Sequence, residues 1–258
     1  MMFSVNAPEK ILRNLFFVFI ALLVVSGLNK DKYPQVFEIL PELYIQPLQT
    51  TTQAVPFKII KKGLTYNIVP VYNYELYGMV VSYHHSSSWS DYYHQEWKDY
   101  LNYKDIGLIW GSALKSGVYH HMKFKSGSWT LYWQPKNRLY RGPEFRNDEG
   151  SNNHVLSNDP KVTSAIMNSE RGDQIYMKGY LVNYSNKDNG STRNTSTVRS
   201  DSGCEVVYVT DFKILKKANV LLRLTYKVCK YGALISFLLL VFFWYKRASS
   251  AVDETRQI

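Results

Sequence analysis

Two charge-free apolar runs stand near the ends of the chain, and the positions between them mostly alternate. Leu15 to Leu28 (LFFVFIALLVVSGL) lies between Lys10 and Arg13 on one side and Lys30 and Lys32 on the other. As a helix it covers about 21 Å, so Ile11, Leu12 and a snorkelling Arg13 are needed to approach the ~30 Å of a bilayer core. Ser26 and Gly27 give it the look of a cleaved signal peptide, but Leu28 breaks the small-x-small pattern that cleavage prefers. An uncleaved signal-anchor is expected. The second run, Tyr231 to Tyr245 (YGALISFLLLVFFWY), is closed by Lys246 and Arg247, with Tyr231, Trp244 and Tyr245 at its margins as in an interfacial belt. Asn219 to Lys230 mixes apolar and basic residues, as does a helix entering from the headgroup region.

The middle reads differently. Pro34, Pro41 and Pro47, followed by Thr50 to Thr52, predict an extended stalk. Leu64 to Pro70, Tyr74 to Tyr83, Ile106 to Trp110, Tyr119 to Phe124, Ser128 to Trp133, Gln174 to Asn183 and Cys204 to Leu215 are rich in β-branched and aromatic residues and predict strands. Gly78 and Gly179 fall inside two of them, as at bulges or bends. Asp159 as cap and Pro160 at the first helical position predict a helix to Asn168, with Val162, Ala165 and Ile166 as its apolar face. Asp91 to Tyr103 has weaker helical spacing. The expected fold is mainly β: an OB-like small barrel, or alternatively a β-sandwich, with one short helix, flanked by N- and C-terminal transmembrane helices. The boundaries follow: 1–29 signal-anchor, 30–56 stalk, 57–215 β-rich domain, 216–247 amphipathic lead-in and membrane helix, 248–258 polar tail.

Composition changes this picture little. The 258 residues carry a formal charge of +10, yet no run of basic residues makes a nucleic-acid tail, and nucleic acid is not an expected partner. Lysines on a membrane-proximal domain account for the charge, with membrane lipid as a partner. Basic residues beside both termini (Lys10, Arg13, Lys246, Arg247) place the termini in the cytoplasm, whereas Lys216, Lys217, Arg223, Lys227 and Lys230 count the other way. The signal-like start favours cytoplasmic termini and an extracytoplasmic domain. Cys204 and Cys229 fall in different environments, so no internal disulfide is expected.

A set of stretches in order adds a resemblance: Ile45-Gln-Pro-Leu-Gln-Thr50, Tyr66-x-Ile-x-Pro70, Tyr74-Glu-Leu-Tyr-Gly-Met-Val-Val-Ser82, Asp105-Ile-Gly-Leu-Ile-Trp-Gly111, Asn152-Asn-His154, Gly179-Tyr-Leu-Val182 and Ser200-Asp-Ser-Gly-Cys-Glu205. Over residues 45–215 the chain resembles a family of uncharacterised bacterial membrane-anchored proteins with one extracytoplasmic domain. The resemblance implies a bacterial inner-membrane protein and no particular chemistry. The C-terminal apolar helix departs from that family and points to a subunit of an envelope complex.

The chemical motifs are sparse. Adjacent histidines (His84-His85, His120-His121) and lone His154 lack metal-ligand spacing, and no metal or other cofactor is expected. Cys204 with His154 as base and Asp201 as orienter would make a nucleophile, but no Gly-x-Ser-x-Gly elbow is present, and no catalytic residue is assigned. Asn153, His154, Arg199 and Asp201 are the candidate ligand-binding residues. The dense aromatics between Tyr72 and Trp133 suit a protein or envelope glycan partner. Gly232 and Ser236 form a small-x-x-x-small face on the C-terminal helix, expected to pack against another membrane-protein subunit or a second copy. The reading is thus an interaction or scaffold subunit, with a membrane-bound hydrolase or metal-dependent enzyme centred on His154 as the alternative.

Overall fold

A computed structural model describes residues 7–256 apart from Ser90, Ser200 and Ser202. The sequence features at Ser200, Ser202 and the first six residues therefore lie outside the described residues. The chain divides into a unit formed by its two ends, up to Lys32 and from Asn219, and a unit spanning Tyr33–Ala218.

The elements, in chain order, are α1 (Ala7–Asn29), β1 (Leu48–Thr51), β2 (Phe57–Lys61), β3 (Leu64–His85), α2 (Tyr92–Trp97), β4 (Asn102–Ile109) and α3 (Ser112–Lys115). They continue with β5 (Met122–Gly127), β6 (Thr130–Pro135), β7 (Gly150–Leu156), α4 (Pro160–Met167), β8 (Gln174–Asn186), β9 (Thr192–Arg193), β10 (Glu205–Lys216) and α5 (Val220–Arg256).

In the terminal unit, α1 and α5 are each long and apolar enough to cross a membrane. Their large side chains, among them Phe17, Val24, Leu238, Phe242 and Trp244, are exposed along most of the length. Such a continuous apolar surface calls for lipid or another apolar cover. The two helices pack side by side. Arg247 reaches Glu9 near one end, and Tyr226 lies against Gly27 and beneath the Lys30 ammonium near the other. The expected outward face of α5 is occupied: Ser236 is buried, and a Cβ on Gly232 would meet the Phe19 ring of α1 at 2.8 Å. The small residues thus admit the chain's own N-terminal helix. α5 is one helix of 37 residues, so most of the lead-in and of the polar tail continue the apolar run without a break. At 1.5 Å per residue it is about 55 Å long, longer than a bilayer core.

The middle unit is β-rich and mixed α/β, with an eight-stranded sheet and a separate β5–β6 hairpin. β3 pairs with β1, β2, β4 and β8, β4 pairs with β7, and β10 pairs with β8, all antiparallel. β7 and β10 run parallel, and α4 lies in the connection between β7 and β8 that a parallel arrangement requires. The N-cap of α4 is as expected: Asp159 accepts from Lys161 N–H at 2.7 Å. Among the described residues the domain carries three short α-helices, against the one short helix expected from sequence. The two expected strands around Pro70 form the single β3, whose irregularities fall at Pro70/Tyr72 and Val80/Ser82 instead of at Gly78.

The stalk is not extended. Tyr33, Ile39 and Leu43 are buried against Val118, Tyr119, Phe124 and Leu131, and β1 joins the sheet. Burying one such leucine stabilises by about 1.5–3 kcal/mol, which a solvated stalk would forgo. A second cluster packs Ile106, Leu108, Val155, Met177, Val207 and Val209 against Val162 and Ile166 of α4. A third gathers Ile59, Ile68, Leu101, Leu156, Tyr184 and Val206. Val206 and Val209, three residues apart, occupy opposite faces of β10. Both are buried, because β10 is covered on its two faces by different clusters.

Candidate functional site

Side chains alternate along β4. Ile106 and Leu108 enter the apolar cluster, so Asp105 projects from the opposite face, where the β4–β7 register sets it beside His154. Both are fully buried, with Oδ1 of Asp105 2.6 Å from Nδ1 of His154. The same Oδ1 accepts from Asn102 Nδ2 at 2.8 Å, and Oδ2 accepts from the Trp129 backbone N–H at 3.1 Å. Burial pushes the Asp105 carboxyl up, but His154, His94 and Asn102 together outweigh it and hold the group below its ordinary value.

The polar chain continues. Asn102 Nδ2 is also 2.9 Å from His94 Nε2, while His94 Nδ1 and His84 Nε2 are each 2.6 Å from Oδ2 of Asp91. Asp91 in addition caps α2 through the His94 N–H at 3.0 Å. The indole N–H of Trp129 and the amide of Asn102 both donate to His94 Nε2, so the His94 proton resides on Nδ1, facing Asp91. Two Asp–His pairs are thereby linked through one asparagine. Nε2 of His154 has no hydrogen-bond partner among the described residues.

Trp129 covers this chain from the tip of the β5–β6 hairpin. Its φ is +67°, uncommon for a bulky side chain, and it is held by contacts on every side. Beyond the two N–H bonds, its carbonyl accepts from the Cys204 thiol at 3.2 Å, and its ring lies 4.0 Å from the Arg193 guanidinium and 4.7 Å from the Trp97 ring. Cys204 Sγ is also 3.6 Å from Asn152 Nδ2. Burial raises the thiol pKa.

The four residues singled out from sequence do not share one pocket. Asn153 and His154 are consecutive on β7 and face opposite ways, and the Asn153 amide bonds Ile106 O and Ser151. Arg199 donates to Pro47 O, and Asp201 accepts from Ser196 Oγ at 2.7 Å and Gly203 N–H at 2.8 Å. Arg199 and Asp201 meet Asn152, Cys204 and Glu205 around a cavity of about 50 Å³. Arg199 also borders an open cleft of about 710 Å³ with Gln46, Gln49 and Arg146. Burial pushes the Glu205 carboxyl up to about 7, against its own backbone N–H and Ser151, which lower it.

The orienter of His154 is therefore Asp105, not Asp201. Sequence reasoning passed over Asp91, His94, Asn102 and Asp105. The available signal was a carboxylate inside the apolar run Asp105–Trp110, which must be paired if buried. His120 and His121 make other contacts: His120 packs on Tyr119 and His121 stacks on Tyr140. Among the described residues, no group of three or more His, Cys, Asp and Glu is placed to hold a metal ion. No known family model matches the chain, and no curated protein or solved structure is significantly similar to it.

Proposed function

We propose that this protein is a membrane-anchored binding subunit of a bacterial envelope complex. In this reading α1 and α5 cross the inner membrane with both termini cytoplasmic, and the β-rich domain lies outside. The exposed apolar surface of the paired helices supports the anchoring. The domain is read as an OB-like small barrel. In support, the pairings β3–β4, β4–β7, β7–β10, β10–β8 and β8–β3 return to their start, with α4 between β7 and β8 in the chain.

One observation carries the binding role. OB-like domains take ligands on the outer face of their second and third strands, between the loops after the first and fourth. Here those are β4 and β7, residues 86–101 and residues 187–204, and the linked Asp–His pairs and the Trp97–Trp129–Arg193 stack concentrate there. Aromatic rings beside a guanidinium and side-chain amides suit a protein partner or an envelope glycan. The test is affinity capture of the full-length chain in mild detergent, compared with Arg193→Ala and Trp97→Ala variants that retain the fold. A component retained by the parent chain and lost from both variants is expected. Identical captures from all three chains would remove the support for this face.

A further inference from the structure

We propose that Cys204 is a nucleophilic thiol with His154 as its base and Asp105 as the positioning residue, closed by the Trp129 hairpin tip, and that it accepts an acyl group from an ester or thioester. This is independent of the binding-module reading, because it rests on local geometry alone.

The register brings the groups together. β10 runs parallel to β7 with Val206 beside His154 and Glu205 beside Asn153, so Cys204 stands level with Asn152, on the strand face that also carries His154. The 3.6 Å approach of Asn152 Nδ2 to Sγ places the thiol on that face. Two buried acceptors there have no partner among the described residues: Nε2 of His154, whose residue is 0% exposed, and Oδ1 of Asn152, whose residue is 4% exposed and lines the same cavity as Cys204. Unsatisfied buried acceptors cost free energy, and two on the strand face that carries this thiol mark a place where something else donates. His154 has its other nitrogen fixed by Asp105, which leaves Nε2 as the basic atom.

Trp129 accounts for the resting state. Its N–H donates to Asp105 and its carbonyl accepts a hydrogen bond from the Cys204 S–H. While the tip is docked, the S–H bond is engaged by that carbonyl. With the tip withdrawn, the S–H proton passes to Nε2 as sulfur attacks the acyl carbonyl carbon. A C–S bond to Cys204 forms and the donor's own C–O or C–S bond breaks. The departing alkoxide or thiolate takes the proton from His154, giving acyl-Cys204 and an alcohol or thiol.

The experiment uses the full-length chain in detergent with p-nitrophenyl acetate, and peptide mass mapping locates the acetyl group. Trp129→Gly removes the indole that holds the tip through His94, the Trp97 ring and the Arg193 guanidinium, so the tip loosens and acetylation of Cys204 is expected to be at least about tenfold faster than in the parent chain. Adding His154→Gln should slow it about a hundredfold, the scale of a general base. Should that double variant not fold, iodoacetamide alkylation of Trp129→Gly across pH replaces it. A rate that levels off by about pH 7 supports a histidine-served thiol, whereas one that climbs only through the ordinary thiol range near 8.5 overturns it. Equal acetylation with and without His154, or no acceleration on opening the tip, also overturns the proposal.

Discussion

Asp105 and His154 are joined twice over: the β4–β7 register sets them side by side, and their side chains meet at 2.6 Å in a fully buried setting. Removing one partner strands the others. Asp105→Ala leaves His154 Nδ1, the Trp129 N–H and one hydrogen of Asn102 without an acceptor. The expected loss is about 3–5 kcal/mol, the scale for breaking a buried pair. Denaturant unfolding of the full-length chain checks it; a loss below ~1 kcal/mol would mean that the pair does not hold these elements. The pH dependence has a definite sign. Because the folded carboxyl titrates below 3.8, its contribution is in place above that value and disappears as pH falls below it.

Glu205 behaves in the opposite way. It is buried, and its folded pKa is raised from 4.5 to about 7. Between those values the folded state binds the proton and the unfolded state does not, so stability falls as pH rises through this window. The full excursion is on the order of 3 kcal/mol at 1.36 kcal/mol per unit. Glu205→Gln should remove the decline and be the more stable chain at about pH 8. Parallel melting curves at about pH 5 and 8 decide it: an unchanged slope in the variant assigns the titration elsewhere.

Gly179 is a packing requirement. A Cβ there would lie 2.0 Å from the Tyr208 carbonyl oxygen and 3.0 Å from the Val209 Cα, both backbone atoms of the paired strand β10. Neither can turn aside as a side chain would. Gly179→Ala is expected to cost at least the ~3 kcal/mol at the top of the over-packing range. Gly190→Ala is a control for glycine removal in open space, though its φ of +74° gives it a modest strain of its own. Similar stability of the two variants would contradict the close β8–β10 approach.

Membrane orientation is tested separately. Reporters fused after Arg247 and within residues 187–195 should read cytoplasmic and extracytoplasmic, respectively. A cytoplasmic signal from the internal fusion would overturn the proposed placement of the domain.

Much of the architecture was legible because local chemistry wrote it. Asp159-Pro160 announced α4, and the charge-free runs announced α1 and α5. The stalk was misjudged because prolines at 34, 41 and 47 dominate the local pattern, whereas Tyr33, Ile39 and Leu43 find their partners only in three dimensions. The Asp105–His154 pair joins residues 49 apart in sequence, and β4 reaches β7 only by passing over the β5–β6 hairpin. Periodicity within a strand reveals which face a residue takes and nothing about the strand beside it. The four site residues chosen from sequence were drawn from a strand and a loop, and only the strand could supply the buried dyad.

Gly232 and Phe19 provide the closing test, on the helical pair. The Phe19 ring occupies the space that a side chain at 232 would need: a Cβ there would stand 2.8 Å from both Cε2 and Cζ, while Ser236 one turn on is buried. Gly232→Leu should therefore push α1 away from α5, and Phe19→Ala should restore the approach by vacating the space. The readout is oxidative cross-linking between cysteines placed at Phe16 and Phe237, whose ring centroids are 6.3 Å apart, in a chain carrying Cys204→Ser and Cys229→Ser. Cross-linking within one chain should drop severalfold in Gly232→Leu and recover in the double variant. Loss without recovery would point to general disruption of α5, and unchanged yield would mean that the two helices do not meet through this face. A cross-linked dimer as the main product would instead return Gly232 and Ser236 to the role expected from sequence, as a contact between copies.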